Sequence, residues 1–286
     1  VSAPLQGAAG SPVCPPEWLA VREPADAEAR SADLAAALCD ALPEGPLVVR
    51  DLGCGTGSMA RWLAPHLRAH GAGDQHWILH DRDPVLLDRA LAGLPGGVTG
   101  EARHGDLTAL DAAELAGTSL VTASALLDLL TAGEIDDLAD ACTRAGCPAL
   151  LTLSVTGEVR FDPAGPADRD VAAAFDDHQR RETGGRVLLG PDAAGYTVAA
   201  FRRRGALVRT AATPWRLGPD RPELTREWLA GWYDAARAQR PELRAAVEDH
   251  RERRYRELAA GRLTVAVGHS DLLVLPAGTG GPGPRA

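Results

Sequence analysis

Lysine is absent from this chain of 286 residues, and all 30 of its basic residues are arginine. That lack removes several chemistries. A P-loop needs a lysine on its phosphates, and a pyridoxal-phosphate enzyme or Schiff-base aldolase needs a lysine amine. GC-rich coding explains the bias without a functional demand for arginine.

Paired cysteines are missing as well. Cys14, Cys39, Cys54, Cys142 and Cys147 are odd in number, scattered, and without a Cys-x-x-Cys pair. This argues against a disulfide framework or a zinc site and predicts reduced thiols in a cytoplasmic protein. No run approaches the roughly 20 apolar residues of a membrane helix. No basic segment leads into an apolar core at the N-terminus, so a secretory signal is not expected.

Aromatic residues make up only 4% of the chain, too few to interleave as stacking platforms with the arginines at 202–204 and 251–256. The second cluster alternates with Glu248, Asp249, Glu252 and Glu257, which predicts intrahelical ion pairs on a solvated face. A net charge of −9 gives no global attraction to nucleic acid or an anionic membrane. The expected partner is a small-molecule substrate, with no nucleic acid and no membrane. The oligomeric state is open.

Short apolar runs alternate with longer amphipathic stretches, the pattern of a parallel α/β sheet. Residues 1–16 and 276–286 read as disordered tails, rich in Pro, Gly and Ala. Between them lies a single expected domain, 17–275. A first helix runs from Glu17 or Asp26 to Leu42. Strands are expected at 47–52, 76–81, 98–104, 120–123 and 149–155, with helices at 59–70, 85–94 and 132–144 between them. The rhythm then breaks. Residues 156–162 read as a hairpin, 168–181 as a polar helix, and Gly184-Gly185 as a turn. Such a segment is too long for an ordinary connection and predicts a cap, 156–190, over the active end of the sheet. A helix at 192–204, a strand at 206–213, a second helical cap segment at 222–260 and a last strand at 263–276 complete the chain.

Asp51-Leu52-Gly53-Cys54-Gly55-Thr56-Gly57 is a strand ending in an acid, followed by a glycine turn and a helix. Glycines let backbone approach a ligand closely, and the helix start supplies free N–H donors. Alone, such a loop fits two cofactor classes. A dinucleotide fingerprint wants its third glycine one residue later, where this chain has Ser58. Asp51 would repel a pyrophosphate and attract a methionyl amino group. The second strand ends in His80-Asp81-Arg82-Asp83-Pro84, placing a carboxylate where ribose hydroxyls need an acceptor.

These segments resemble the class I S-adenosylmethionine-dependent methyltransferases. DLGCGTG matches the first motif of that family closely, and HDRDP, HGDLTAL and LVTASALLDLL resemble later ones, over residues 45–155. The resemblance implies a doubly wound, Rossmann-like α/β sheet and S-adenosyl-L-methionine as cofactor. It also implies Asp51, Gly53, Gly55 and Gly57 around the methionine part, Asp81 on the ribose, and Asp106 with Leu107 at the adenine. The downstream half resembles a bacterial group of the family loosely labelled trans-aconitate methyltransferase-like. In that group the segment after His-Gln usually reads Asp-Lys-Gly-Phe-Gly. Here it is Glu182-Thr183-Gly184-Gly185-Arg186, which implies a different acceptor.

Methyl transfer needs alignment and, for a protonated acceptor, a base. His178 is the candidate base, its other reading being a residue that packs the cap. Asp128 and Ser124, after the fourth strand, lie where the substrate or reactive methyl belongs, or else cap the next helix. Trp18 and Arg22 are candidates for a lid. The pairs His66/His70 and His76/His80 are spaced i, i+4, but no cysteine accompanies them, so no metal is expected. The expected activity is methyl transfer to a small polar metabolite. RNA or protein methylation, a non-catalytic cofactor-binding module and a nicotinamide oxidoreductase are the alternatives.

Overall fold

Four strands build the parallel half of one sheet: β1 (Leu47–Leu52), β2 (Gln75–Asp81), the polar β3 (Val98–His104) and β4 (Leu120–Ser124). The computed structural model describes residues 14–105 and 112–277. The sheet continues through β5 (Ala149–Asp162), β10 (Thr264–Leu275) and β8 (Leu207–Ala212), in the order β3-β2-β1-β4-β5-β10-β8. The pairs from β3 to β5 are parallel, and β10 runs antiparallel to both β5 and β8. A short β9 (Trp215–Leu217) adds to β10 beyond β8.

Alternation along each strand sends side chains to two cores, as a pleated sheet covered on both faces requires. Leu150 joins one core with Leu47, Val49, Met59 and Trp77, whereas Ala149 and Leu151 join the other with Ile135, Phe201 and Leu272. The covering helices are α3 (Ser58–Ala69) and α4 (Pro84–Ala92), then α5 (Ala132–Ala145) and α7 (Ala193–Arg203). Helix α5 has both ends written in its sequence. Thr131 and Glu134 form a reciprocal capping box, and Gly146 closes the helix in the left-handed conformation at φ 65°. Neither Ser124 nor Asp128 caps it.

A third core belongs to the cap. Phe161, Phe175, Trp228, Trp232 and Val247 pack among α6 (Asp168–Gln179), α8 (Pro222–Gln239) and α9 (Arg244–Ala259). Trp228 and Trp232 stack with ring centroids 5.4 Å apart. A two-stranded hairpin, β6 (Glu182–Thr183) and β7 (Arg186–Val187), follows α6.

Three sequence expectations are corrected. The first helix is two, α1 (Pro16–Ala29) and α2 (Ala32–Cys39). Ser31 breaks it by capping α2 with its side chain while its own N–H donates to Asp271 Oδ2 at 2.9 Å. Residues 156–162 form no hairpin. They extend β5 along β10, pairing Asp162 with Thr264. The second arginine cluster is not wholly solvated, because Arg254 is fully buried against Asp168 of α6 and Glu257. Most of each expected tail lies outside the described residues.

Candidate active site

The strand β1 and helix α3 are joined by a turn that only glycine fits easily. Gly53, Gly55 and Gly57 have φ of 62°, 55° and 85°, in the left-handed region. Cys54 N–H donates to the His80 carbonyl at 2.9 Å, tying the turn to the end of β2. At Gly57 a Cβ would stand 3.2 Å from the Ala90 backbone, so this glycine lets α4 pack against the turn. Gly53, Cys54, Gly55 and Thr56 line a cavity of about 280 Å³ at the C-terminal ends of the strands.

Two acids flank the turn. Asp51 is buried, and Thr122 Oγ1 donates to its Oδ1 at 2.7 Å, while Oδ2 has no partner among the described residues. Burial pushes its carboxyl up to about 7, against the pull of the Thr122 hydroxyl and Arg30. Asp81 accepts from the N–H of Gly55 at 2.9 Å and of Asp83 at 3.0 Å, and it also lines the cavity. A carboxylate has about four lone-pair sites, so Asp81 retains capacity for hydroxyl donors. Ser124 lines the cavity from the end of β4. Asp106 and Leu107 lie outside the described residues.

The other half of the cavity is walled by α1 and the cap. Trp18 and Arg22 reach it from α1, Phe175 from α6, Trp215 from β9 and Trp228 from α8. Asp26 fixes this wall: it takes both Arg22 Nε (2.9 Å) and Arg22 Nη2 (3.2 Å), and Trp215 Nε1 donates to it at 3.0 Å. Burial opposes the Arg22 charge, and the Asp26 carboxylate outweighs it. The lid expected of Trp18 and Arg22 is thus a packed wall.

His178, at the end of α6, and Asp128, after β4, both line this half. Burial and then the nearby Arg181 push His178 down to about 4, so its ring is neutral at pH 7. Burial pushes Asp128 up to about 6, opposed by Arg22. Two lining residues, Ala125 and Leu153, have φ of 51° and 57°, a strained choice for residues with side chains. Leu153 N–H is held by Asp271 Oδ1 at 2.7 Å, which makes the strain a consequence of a buried anchor.

Gln179, next to His178 in the polar helix expected at 168–181, lines the cavity, and so do His269 and Arg181, which no sequence signal singled out. His269 is buried on β10 beside Trp215, ring centroids 5.1 Å apart, and burial pushes it down to about 3. Only β5 pairing past Ser154 brings it there, and no local signal announces that. The spaced histidines serve structure. His66 and His70 bond helix carbonyls at 2.8 and 2.9 Å, and His76 meets Thr99 at 2.9 Å. His80 accepts from Arg50 at 2.6 Å. Among the described residues no group of three metal-ligating side chains occurs, and no helix is long and apolar enough to cross a membrane.

No family profile matches the chain, and no curated protein matches it in sequence. Solved structures match in shape. A loganic acid methyltransferase with SAH is 10% identical, with a TM-score of 0.51 over 90% of this chain and 94% of that one. The YcgJ protein from Bacillus subtilis is 13% identical, with a TM-score of 0.49 over 85% and 97%. The cyclopropane synthase MmaA2 from Mycobacterium tuberculosis is 12% identical, with a TM-score of 0.46 over 91% and 93%. The first of these shows a shared fold: the chain is a doubly wound, Rossmann-like α/β sheet with helical cap insertions.

Proposed function

We propose that this protein transfers a methyl group from S-adenosyl-L-methionine to a small polar metabolite. The observation that carries the reading is Asp51 Oδ2, a buried acceptor without a donor among the described residues, beside a turn of three left-handed glycines. An unpaired buried acceptor is costly, and an ammonium group is a donor that satisfies it. A pyrophosphate fits poorly beside it. The cofactor, when bound, supplies an electrophilic methyl on a sulfonium, so the protein need not activate it.

In this reading Asp51 holds the methionyl amino group, Asp81 the ribose hydroxyls, and Gly53 and Gly55 the backbone approach. Asp106 and Leu107 are assigned to the adenine. Ser124 and Asp128 border the methyl position. His178 accepts the proton of a hydroxyl or amine acceptor; its ring is uncharged at neutral pH, and the burial that keeps it so also makes it a weaker base than a solvated imidazole. The wall of α1 and the cap excludes water. Arg186, from the hairpin where the chain departs from the trans-aconitate methyltransferase-like group, lines the cavity, which supports an acceptor different from theirs.

Calorimetry with S-adenosylmethionine, S-adenosylhomocysteine and NAD tests the cofactor; NAD binding without the first two overturns the reading. Labelled methyl should then pass into small molecules of a fractionated extract, not macromolecules. The H178A variant should lose roughly 100- to 10,000-fold in turnover and keep its affinity for S-adenosylhomocysteine. Unchanged turnover would remove His178 from the site.

A further inference from the structure

Of the cations lining the cavity, Arg22 is paired with Asp26, whereas Arg181 has no acid partner among the described residues. Its Nη1 donates to the His178 carbonyl at 2.7 Å, which fixes the guanidinium at the end of α6. Burial lowers its pKa, and no described carboxylate opposes that. A half-buried guanidinium without an acid keeps donors available to pair with an arriving anion. Arg186 adds to the deficit. Its Nε and Nη2 hold Glu134 at 3.1 and 2.6 Å, but its Nη1 is buried and has no partner among the described residues. Arg181 lies between α6 and the hairpin, and Arg186 opens the second strand of that hairpin.

We infer that the acceptor substrate is a monoanionic carboxylate with a flat apolar body, its carboxylate anchored on Arg181. This rests on the methyl-transfer reading for its role, though not for its binding. A guanidinium offers paired N–H donors that match a carboxylate. Trp18, Phe175, Trp215 and Trp228 supply the apolar walls for the body. Charge decides against a dianion such as a phosphate monoester. Asp128 and Asp176 line the same cavity, both pushed up to about 6 by burial, and they repel a second negative charge. Gln179 Oε1, buried and without a donor among the described residues, is the complementary acceptor for a hydroxyl on the same molecule.

The test is calorimetric titration of the full chain with phenylacetate and 4-hydroxyphenylacetate, their neutral amides, and phenyl phosphate. Each is run with and without S-adenosylhomocysteine. The acids should bind at least about tenfold more tightly than the amides, as charge-assisted pairing requires. R181Q should abolish that preference without changing S-adenosylhomocysteine affinity, and R181K should restore part of it. Equal binding of acids and amides, no binding by either acid, tighter binding of phenyl phosphate, or an intact preference in R181Q overturns the inference. Failure of S-adenosylhomocysteine to bind overturns the methyl-transfer reading alone, since the acid-to-amide comparison is still made without it.

Discussion

Arg30 donates one guanidinium nitrogen to Ser124 Oγ at 3.0 Å, and the same nitrogen reaches Ser58 Oγ at 3.1 Å. The break between α1 and α2 is thereby tied to the start of α3 and the end of β4. Arg30 is buried, and its Nε and Nη1 have no partner among the described residues. Its charge also holds Asp51 down. Replacing it with Gln should weaken S-adenosylhomocysteine binding about tenfold and lower stability by about 1.5–3 kcal/mol, the worth of hydrogen bonds to a charged group. Calorimetry and urea unfolding measure the two effects.

The pH response of Asp51 has a definite sign. Its folded pKa, about 7, lies above the ordinary value of 3.8. The folded state therefore holds this proton more tightly, and its contribution to the stability of the free protein is lost as pH rises from about 4 through 7. Binding of an ammonium group needs the ionised form, so cofactor affinity should rise about tenfold between pH 6 and 8. D51N should bind weakly at every pH and flatten both profiles. An unchanged affinity profile in D51N would show that the carboxylate does not meet the ligand.

Asp26 should be the most sensitive residue of the α1 wall. Asp26→Ala leaves Arg22 and the Trp215 indole N–H without their acceptor. A loss of about 3–5 kcal/mol is expected, as for a buried pair broken on one side. Asp26→Asn keeps an acceptor for Trp215 and should cost less. Denaturant unfolding separates the two variants.

Asp168 plays the corresponding part in the cap. Its Oδ1 accepts from Arg254, which is fully buried, and meets His250 Nε2 at 2.6 Å, while Tyr233 Oη meets His250 Nδ1 at 2.7 Å. One carboxylate thus joins α6, α8 and α9. Asp168→Ala should cost about 3–5 kcal/mol, and Tyr233→Phe only about 1 kcal/mol. Hydrogen exchange should localise the loosening to the cap, with protection of β1 and β4 retained.

The parallel half of the sheet was legible because most of its strands are short apolar runs closed by turns. Strands β1 and β3 fall on the residues expected, and α3, α4 and α5 within a few positions. The glycine turn and its acids were legible because a tight turn permits few residue types. What stayed hidden depends on distant partners. Thr156-Gly157-Glu158 looks locally like a turn, yet Val159 and Phe161 pair with Val267 and Val265 on a strand more than one hundred residues later. His269 and Asp271 sit within an apolar run, and their roles arise only from that pairing. Arg181 resembles any arginine of the chain until its lack of an acid is seen.

Strand β5 carries more residues than β10 along their shared length, with irregularities at Val267/His269 and Ser270/Leu272. The left-handed Leu153 and Gly157 absorb the excess. A one-residue insertion or deletion in β10 ahead of His269 would turn both His269 and Asp271 away from the faces they now occupy, breaking the cavity wall and the Asp271 anchor together. In the methyl-transfer reading, the acceptor range of this chain is therefore open to point changes on α6 and its hairpin, and closed to length changes in β10 beneath them.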